Sequence, residues 1–327
     1  MSSIIKQDYP KSDFEIIIVD GGSTDGTLEV VRKYINDLDI KIIHNELGIV
    51  STGFNLGLNN ALGNYIIRID GHCEIPKNYI KVCYKILEEK KVDIVGGYIK
   101  TISNSTIGCS IAVAQSSTFG VGNVKFRNAS LSNSSYVDTL AFGAHRRQLF
   151  YELGGYDEEM VCNQDDEFNY RVLQSGKKIW LESSLVTKYY SRTSFIRLFK
   201  QYFHYGFFKV RGIQKRSQIF SIRHLIPSLF IISSFITLIS GKYFGLNWLS
   251  FSIILIYQLI NIFSSIYHAT KFNMVLLISI SYWILHLSYG LGFLFGMIKF
   301  IFRWDDKQLR DYHFNRKIFF KNNTYSI

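Results

Sequence analysis

The chain has 327 residues, with 37 Lys+Arg against 26 Asp+Glu, a formal net charge of +11 and 47% hydrophobic residues. At about 100–200 residues per domain this length excludes a single small module, and four cysteines without a C-x-x-C pair exclude a zinc ribbon or a disulfide-stapled secreted fold. The charge is unevenly laid, because residues 1–191 hold 20 basic and 23 acidic side chains while residues 183–304 hold no Asp or Glu.

Residues 14–19 form a compact apolar strand that ends at Asp20 and the loop Gly21-Gly22-Ser23-Thr24-Asp25-Gly26-Thr27, ahead of a helical pattern through Tyr34. Residues 40–43 predict the next strand, 49–62 a helix interrupted by small residues, and 65–69 a strand closing on Asp70-Gly71-His72. Pro76 suits the first turn of a further helix. Alternation of strand and helix argues for an α/β fold with a mostly parallel sheet, whose ligands collect at the carboxyl ends of strands. Asp20 and Asp70 both stand at such ends, so two carboxylates fifty residues apart can converge on one crevice. Each is also an ordinary turn or cap residue when taken alone. The cluster Asn163-Gln164-Asp165-Asp166-Glu167 opens a helix through Arg171 to Ser175, and three consecutive carboxylates exceed what capping and the helix dipole require.

Between Arg192 and Arg223 eight basic residues and no acid are interleaved with Phe195, Phe199, Tyr202, Phe203, Tyr205, Phe207 and Phe208. Such a stretch fits nucleic acid or an anionic membrane surface. The membrane is favoured and nucleic acid set aside, because residues 225–302 carry only Lys242, Lys271 and Lys299 as charges, within apolar runs at 225–239, 246–263 and 274–302. Residues 193–215 therefore predict an amphipathic helix at the headgroup level. Three crossings would put the basic tail (Arg303, Lys307, Arg310, Arg316, Lys317, Lys321) outside, against the positive-inside rule. An even count, with 274–302 bent or re-entrant around Gly290 and Gly292, reconciles the two. No signal peptide opens the chain, so the first half is expected in the cytoplasm.

With these residues in view, the chain resembles the family two inverting glycosyltransferases of GT-A fold. Residues 16–27 (IIIVDGGSTDGT) match the nucleotide-side strand and loop, 68–72 (RIDGH) the D-x-D region, and 164–171 (QDDEFNYR) the E-D-x-E-L-x-x-R helix. Residues 119–123, 143–147, 154–157 and 286–294 are similar to a narrower, succinoglycan-pathway branch that extends lipid-linked sugars on the cytoplasmic face of a membrane. The resemblance implies a multi-pass cell-membrane protein with four parts: a catalytic domain at 1–191, a connector at 192–224, membrane helices at 225–302 and a basic tail at 303–327. It implies a UDP-hexose donor held by Asp20, Gly22, Ser23 and Asp70, and a divalent metal on Asp70 and His72. An imidazole ligand tilts that metal toward Mn²⁺ over Mg²⁺. Asp165 matches the catalytic base, and Gln164, Asp166, Glu167, Arg171, Gln201, His204 and Tyr205 match positions that orient the acceptor, a lipid-linked or growing saccharide. Gly21 and Gln164 depart from the family's acidic residues, and Gln201-Tyr202-Phe203-His204-Tyr205 departs from the Q-x-x-R-W of processive synthases, which favours addition of one sugar.

The family's opening strand, with its Pro-x-x-Asn-Glu, has no counterpart before Gln7, so an interior strand is expected to be missing and a longer encoded chain with it. That departure supports a competing expectation, a catalytically inactive subunit serving as a scaffold in a polysaccharide assembly complex.

Overall fold

The computed structural model describes residues 1–127, 133–216 and 222–317; Lys321 of the expected tail lies outside them. The chain forms two compact units, one of Met1–Ile99, Ala129–Lys188 and Gln308–Ile327, the other of Lys100–Asn128 and Tyr189–Lys307. The expected cuts at 191 and 302 thus miss two exchanges. Residues near 111 belong with the helical unit because Ile111 and Ala114 share a core with Leu198, Ile278 and Tyr282. The described tail belongs with the sheet unit because His313 bonds Glu158 there.

In chain order the elements are α1 (Ser2–Ile5), β1 (Ile16–Asp20), α2 (Thr27–Arg32), β2 (Ile40–His44), α3 (Val50–Asn60), β3 (Tyr65–Ile67), β4 (Cys73–Glu74), α4 (Tyr79–Glu89) and β5 (Ile94–Ile102). There follow α5 (Thr106–Ser116), α6 (Thr118–Val121), β6 (Ser135–Tyr136), β7 (Ala144–Arg146), α7 (Arg147–Leu153), α8 (Gln164–Gln174) and β8 (Ile179–Tyr190). The second unit is completed by α9 (Phe195–Arg216), α10 (Ile226–Phe244), α11 (Asn247–His268) and α12 (Met274–Lys299).

The sheet unit is mixed. β1, a run of β-branched residues suited to a buried pleat, pairs parallel with β2 from Ile16 opposite Ile40 to Asp20 opposite His44. A second sheet runs in the order β3-β7-β5-β8-β4, antiparallel at β3–β7 and β5–β7. Tyr79, Cys83 and Leu87, one face of α4, pack on Val95, Ala144 and Leu185 of this sheet. Pro76 precedes α4 instead of sitting in its first turn; its carbonyl accepts the Tyr79 N–H, and Gln7 Oε1 accepts the Ile80 N–H. Between the facing flanks of β1 and β3 lies a cavity of about 1050 Å³, lined by Ile17, Val19, Ile67 and Leu58 and reaching Gly21, Arg68, Asp70 and His72.

In the helical unit α9 and α12 meet backbone to backbone. A Cβ on Gly206 would lie 2.0 Å from the Tyr289 carbonyl oxygen, and one on Gly292 2.0 Å from that of Phe203, so only glycine allows this approach. The amphipathic expectation for residues 193–215 is corrected in the second half of the helix, while Arg197 and Lys200 in the first half are exposed. Lys209, Arg211 and Arg216 are buried, not turned to lipid. Arg211 bonds the Asp306 carboxylate at 3.1 Å and the Arg303 and Asp306 carbonyls at 3.1 and 2.6 Å. α10 runs past Lys242 to Phe244, and α12 is one unbroken helix through Gly290 and Gly292, so the expected bend there is absent. Among the described residues three helices, α10, α11 and α12, are long and apolar enough to cross a membrane.

Candidate active site

β1 ends by placing the Asp20 carboxylate inside its own loop. Asp20 Oδ2 accepts the N–H groups of Gly22 and Ser23, both at 3.0 Å, with Gly22 at φ 87°. The Ser23 hydroxyl and N–H, against a small cost of burial, hold the Asp20 carboxyl below the usual carboxylate range. Gly22 and Ser23 therefore spend their N–H groups on Asp20, not on a ligand. Their expected donor contacts come down to the shape of the loop that Asp20 fixes.

The second strand end brings the chemistry together. Arg68, two residues before Asp70, grips it in bidentate fashion, Nε to Oδ1 at 3.0 Å and Nη2 to Oδ2 at 3.2 Å. The Arg68 side chain is 10% exposed and stands 6.0 and 5.8 Å from the Phe142 and Tyr156 ring centres. Burial works against its charge, yet Asp70, then Tyr156 and Asp165, hold the guanidinium's pKa above its ordinary value. Burial likewise pushes the Tyr156 phenol up to about 12. Asp165, from the first turn of α8, is thus in electrostatic reach of Arg68. Arg68 Nη1 is buried beside the Tyr156 phenol and makes no hydrogen bond of good geometry, so this donor of a fixed cation is the one least committed within the unit.

α8 is entered through Asn163 in the left-handed region, φ 62°. Asp165 Oδ1 accepts the Asp166 N–H at 2.9 Å, and the buried Gln164 keeps its Oε1 without a partner. Glu167 and Arg171 behave differently from expectation. Glu167, with 6% of its side chain exposed, takes both Arg171 Nε and Nη2 at 2.8 Å, while Arg171 also donates to the Leu153 and Gly155 carbonyls at 2.6 and 2.7 Å. This pair locks α8 to the end of α7 and has its hydrogen bonds committed within the unit. The N–H of Tyr156 and its carbonyl are in turn held by Asn55, each at 2.8 Å.

The remaining expected positions lie in the helical unit. Gln201 donates from Nε2 to the Tyr205 hydroxyl at 2.9 Å and keeps a buried Oε1 unpartnered, and His204 is exposed on the same helix. All three belong to the helical unit, and Asp165 to the sheet unit.

For a divalent cation the donor types, an Asp oxygen and a His nitrogen, suit manganese. Both Asp70 oxygens are on Arg68, however, His72 is exposed, and no cluster of three ligating side chains occurs among the described residues. The residues fit a cation shared with a ligand's phosphate oxygens, and do not form a cation site of their own.

Sequence reasoning singled out Asp70 and Asp165 and missed Arg68 and Tyr156. The signal for Arg68 was a single cation in the otherwise apolar strand Tyr65-Ile66-Ile67-Arg68-Ile69, which demands a buried counter-charge.

Residues 1–154 match the family described as Glycosyl transferase family 2. A Methanococcus voltae protein, dolichyl N-acetyl-alpha-D-glucosaminyl phosphate 3-beta-D-2,3-diacetamido-2,3-dideoxy-beta-D-glucuronosyltransferase, is 31% identical over 302 residues, 90% of each chain. The succinoglycan biosynthesis protein ExoA of Rhizobium meliloti is 31% identical over 65% of this chain and 64% of its own. The crystal structure of residues 1–349 of S. aureus TarS in complex with UDP-GlcNAc is 16% identical and covers 90% of this chain and 85% of its own, at a TM-score of 0.49. On the family match and on identity across nine-tenths of a full-length relative, this chain belongs to glycosyl transferase family 2 and is a glycosyltransferase.

Proposed function

We propose that this protein is a membrane-bound inverting transferase that moves one hexose from a UDP-sugar to a lipid-linked saccharide, with its sheet unit in the cytoplasm. The observation that carries the reading is the bidentate Arg68–Asp70 pair at a strand end, with the Asp165 charge from a helix start raising the pKa of the same guanidinium. The Methanococcus relative, named for a dolichyl-phosphate-linked acceptor, supports the acceptor class. The donor would lie against the Asp20 loop and the Asp70 end, where the Arg68 guanidinium meets diphosphate oxygens. Asp165 takes the acceptor hydroxyl proton as that oxygen attacks the anomeric carbon, and the bond from that carbon to the diphosphate oxygen breaks with inversion. Gln164 and Asp166, flanking the base, orient the acceptor. Asp70 and His72 would hold a divalent ion, Mn²⁺ before Mg²⁺, together with the diphosphate, and when bound it offsets charge on the leaving group.

The test is Asp165→Asn in membranes carrying the full chain, given a panel of UDP-sugars and a lipid extract. Transfer should fall by at least about 100-fold, while binding of UDP in the presence of Mn²⁺ stays within a few-fold of the parent. Near-normal transfer in the variant would move the base to Asp166.

A further inference from the structure

Granted a bilayer partner, as proposed above, the chain path limits which helices can enter it. The described tail is part of the sheet unit. Asn59 Nδ2 donates to the His313 carbonyl at 2.6 Å, the His313 N–H to Glu158 Oε1 at 2.8 Å, and the Gly155 N–H to Asp311 at 3.2 Å, while Arg310 pairs with Glu159 at 3.1 Å. One compact unit stays on one side of a membrane. The chain that leaves it after Lys188 and returns at Gln308 must therefore cross an even number of times, whereas three long apolar helices lie between.

A fourth crossing by α9 would restore an even count, but α9 would carry Arg197, Lys200, Lys209 and Arg211 through hydrocarbon, at about 2.5–3.5 kcal/mol for each charge near the centre. One of the three apolar helices must stay out instead, and α12 is that helix. Of its most apolar stretch 44% is buried within the protein, against 11% for α10 and 22% for α11. It shares its length with the charged α9: Leu198 and Tyr202 pack with Ile278 and Leu285, Val210 and Ile213 with Phe293 and Phe300, and Gln214 Nε2 donates to the Phe300 carbonyl at 2.7 Å. Its meetings with the α10–α11 pair run from the open end of that pair, at Phe230 to Trp283, Asn261 to Ser279 and Ser264 to Tyr282, to the middle of α11, where Tyr257 meets His286 and Trp283 donates to Gln258, each at 2.8 Å. α10 and α11 by contrast expose large apolar side chains along their length, among them Leu229, Phe235, Ile239, Phe251, Leu259 and Phe263.

We propose that α10 and α11 alone cross the bilayer, as a hairpin, and that α12 lies with α9 at the membrane surface on the side of the sheet unit. Nineteen and 22 residues span about 28 and 33 Å, matching a hydrocarbon core of about 30 Å. Exposed Tyr243, Phe244 and Trp248 flank the turn at the far end, as an interfacial aromatic belt requires. Only Lys242 is charged at that end, while Arg223, Lys271, Arg303, Lys307 and Arg310 all fall on the near side, which satisfies the positive-inside rule without bending α12.

Single cysteines at the exposed positions Asn36, Phe244, Phe272 and Lys307 test this in the full chain. Cells and inverted membrane vesicles are treated with a membrane-impermeant maleimide and labelled peptides are read by mass, so the native cysteines stay in place. Asn36→Cys, Phe272→Cys and Lys307→Cys should label from one face and Phe244→Cys from the other, with Tyr243→Cys and Trp304→Cys repeating the two decisive positions. Labelling of Lys307→Cys together with Phe244→Cys would mean three crossings and overturn the proposal. Labelling of all four from one face would mean that the hairpin does not cross, and would overturn it as well. Release of the parent from membranes by alkaline carbonate is the separate result that would defeat the membrane reading itself.

Discussion

Replacing Arg171 with Met tests whether the acidic helix start serves the substrate throughout or is partly scaffold. The substitution keeps most of the side-chain volume and removes the whole donor fork. It leaves Glu167, 6% exposed, as a buried carboxylate without its cation, and it strips the donors from the Leu153 and Gly155 carbonyls. Breaking a buried pair at one partner costs about 3–5 kcal/mol, and each orphaned acceptor adds to that without simple additivity. A loss of about 3–5 kcal/mol is expected, on the order of 10 °C in the melting temperature for a unit of this size. Glu167→Gln should lose less, because its amide oxygen still accepts from Arg171, and the double variant Glu167→Met with Arg171→Met should cost less than the two single changes summed. The assay is thermal and denaturant unfolding of the detergent-solubilised chain, with UDP binding measured at a temperature where each variant is folded. Unchanged unfolding in Arg171→Met together with collapsed transfer would refute the scaffold role and return both residues to the acceptor.

Gly292→Ala should destabilise the helical unit by about 1–3 kcal/mol, since its Cβ would meet the Phe203 carbonyl oxygen at 2.0 Å and force α9 from α12; an unchanged melting temperature would contradict the close backbone contact. His145 is buried against Phe150 and Phe168, and burial lowers its pKa to about 4. Below a pH of about 6.5 the unfolded chain takes up a proton that the folded one refuses until about pH 4, so stability falls across that window and levels off beneath it, by up to about 3 kcal/mol. His145→Gln should flatten this part of the pH–stability curve relative to the parent, and identical curves would refute it.

Much of the architecture is legible in the sequence because it is set by local pattern. The apolar run before Asp20, the Gly-rich loop after it, the acidic start of α8 and the three long apolar helices each follow from periodicity, turn chemistry and charge within a few neighbouring residues. That Asp20 and Asp70 stand where an α/β sheet gathers its ligands was inferred from fold type, and the role expected of Asp165 from the family resemblance of residues 164–171. What tertiary structure decided are the partners of charges far apart in sequence. Arg211 finds Asp306 and not lipid, and the tail's His313 finds Glu158 in the sheet unit. Arg68 takes Asp70 from its own strand end, but the Tyr156 ring and the Asp165 charge beside it come from elements distant in sequence. A buried ion must meet its counter-charge wherever the chain brings one, and local sequence spacing contains no record of that distance.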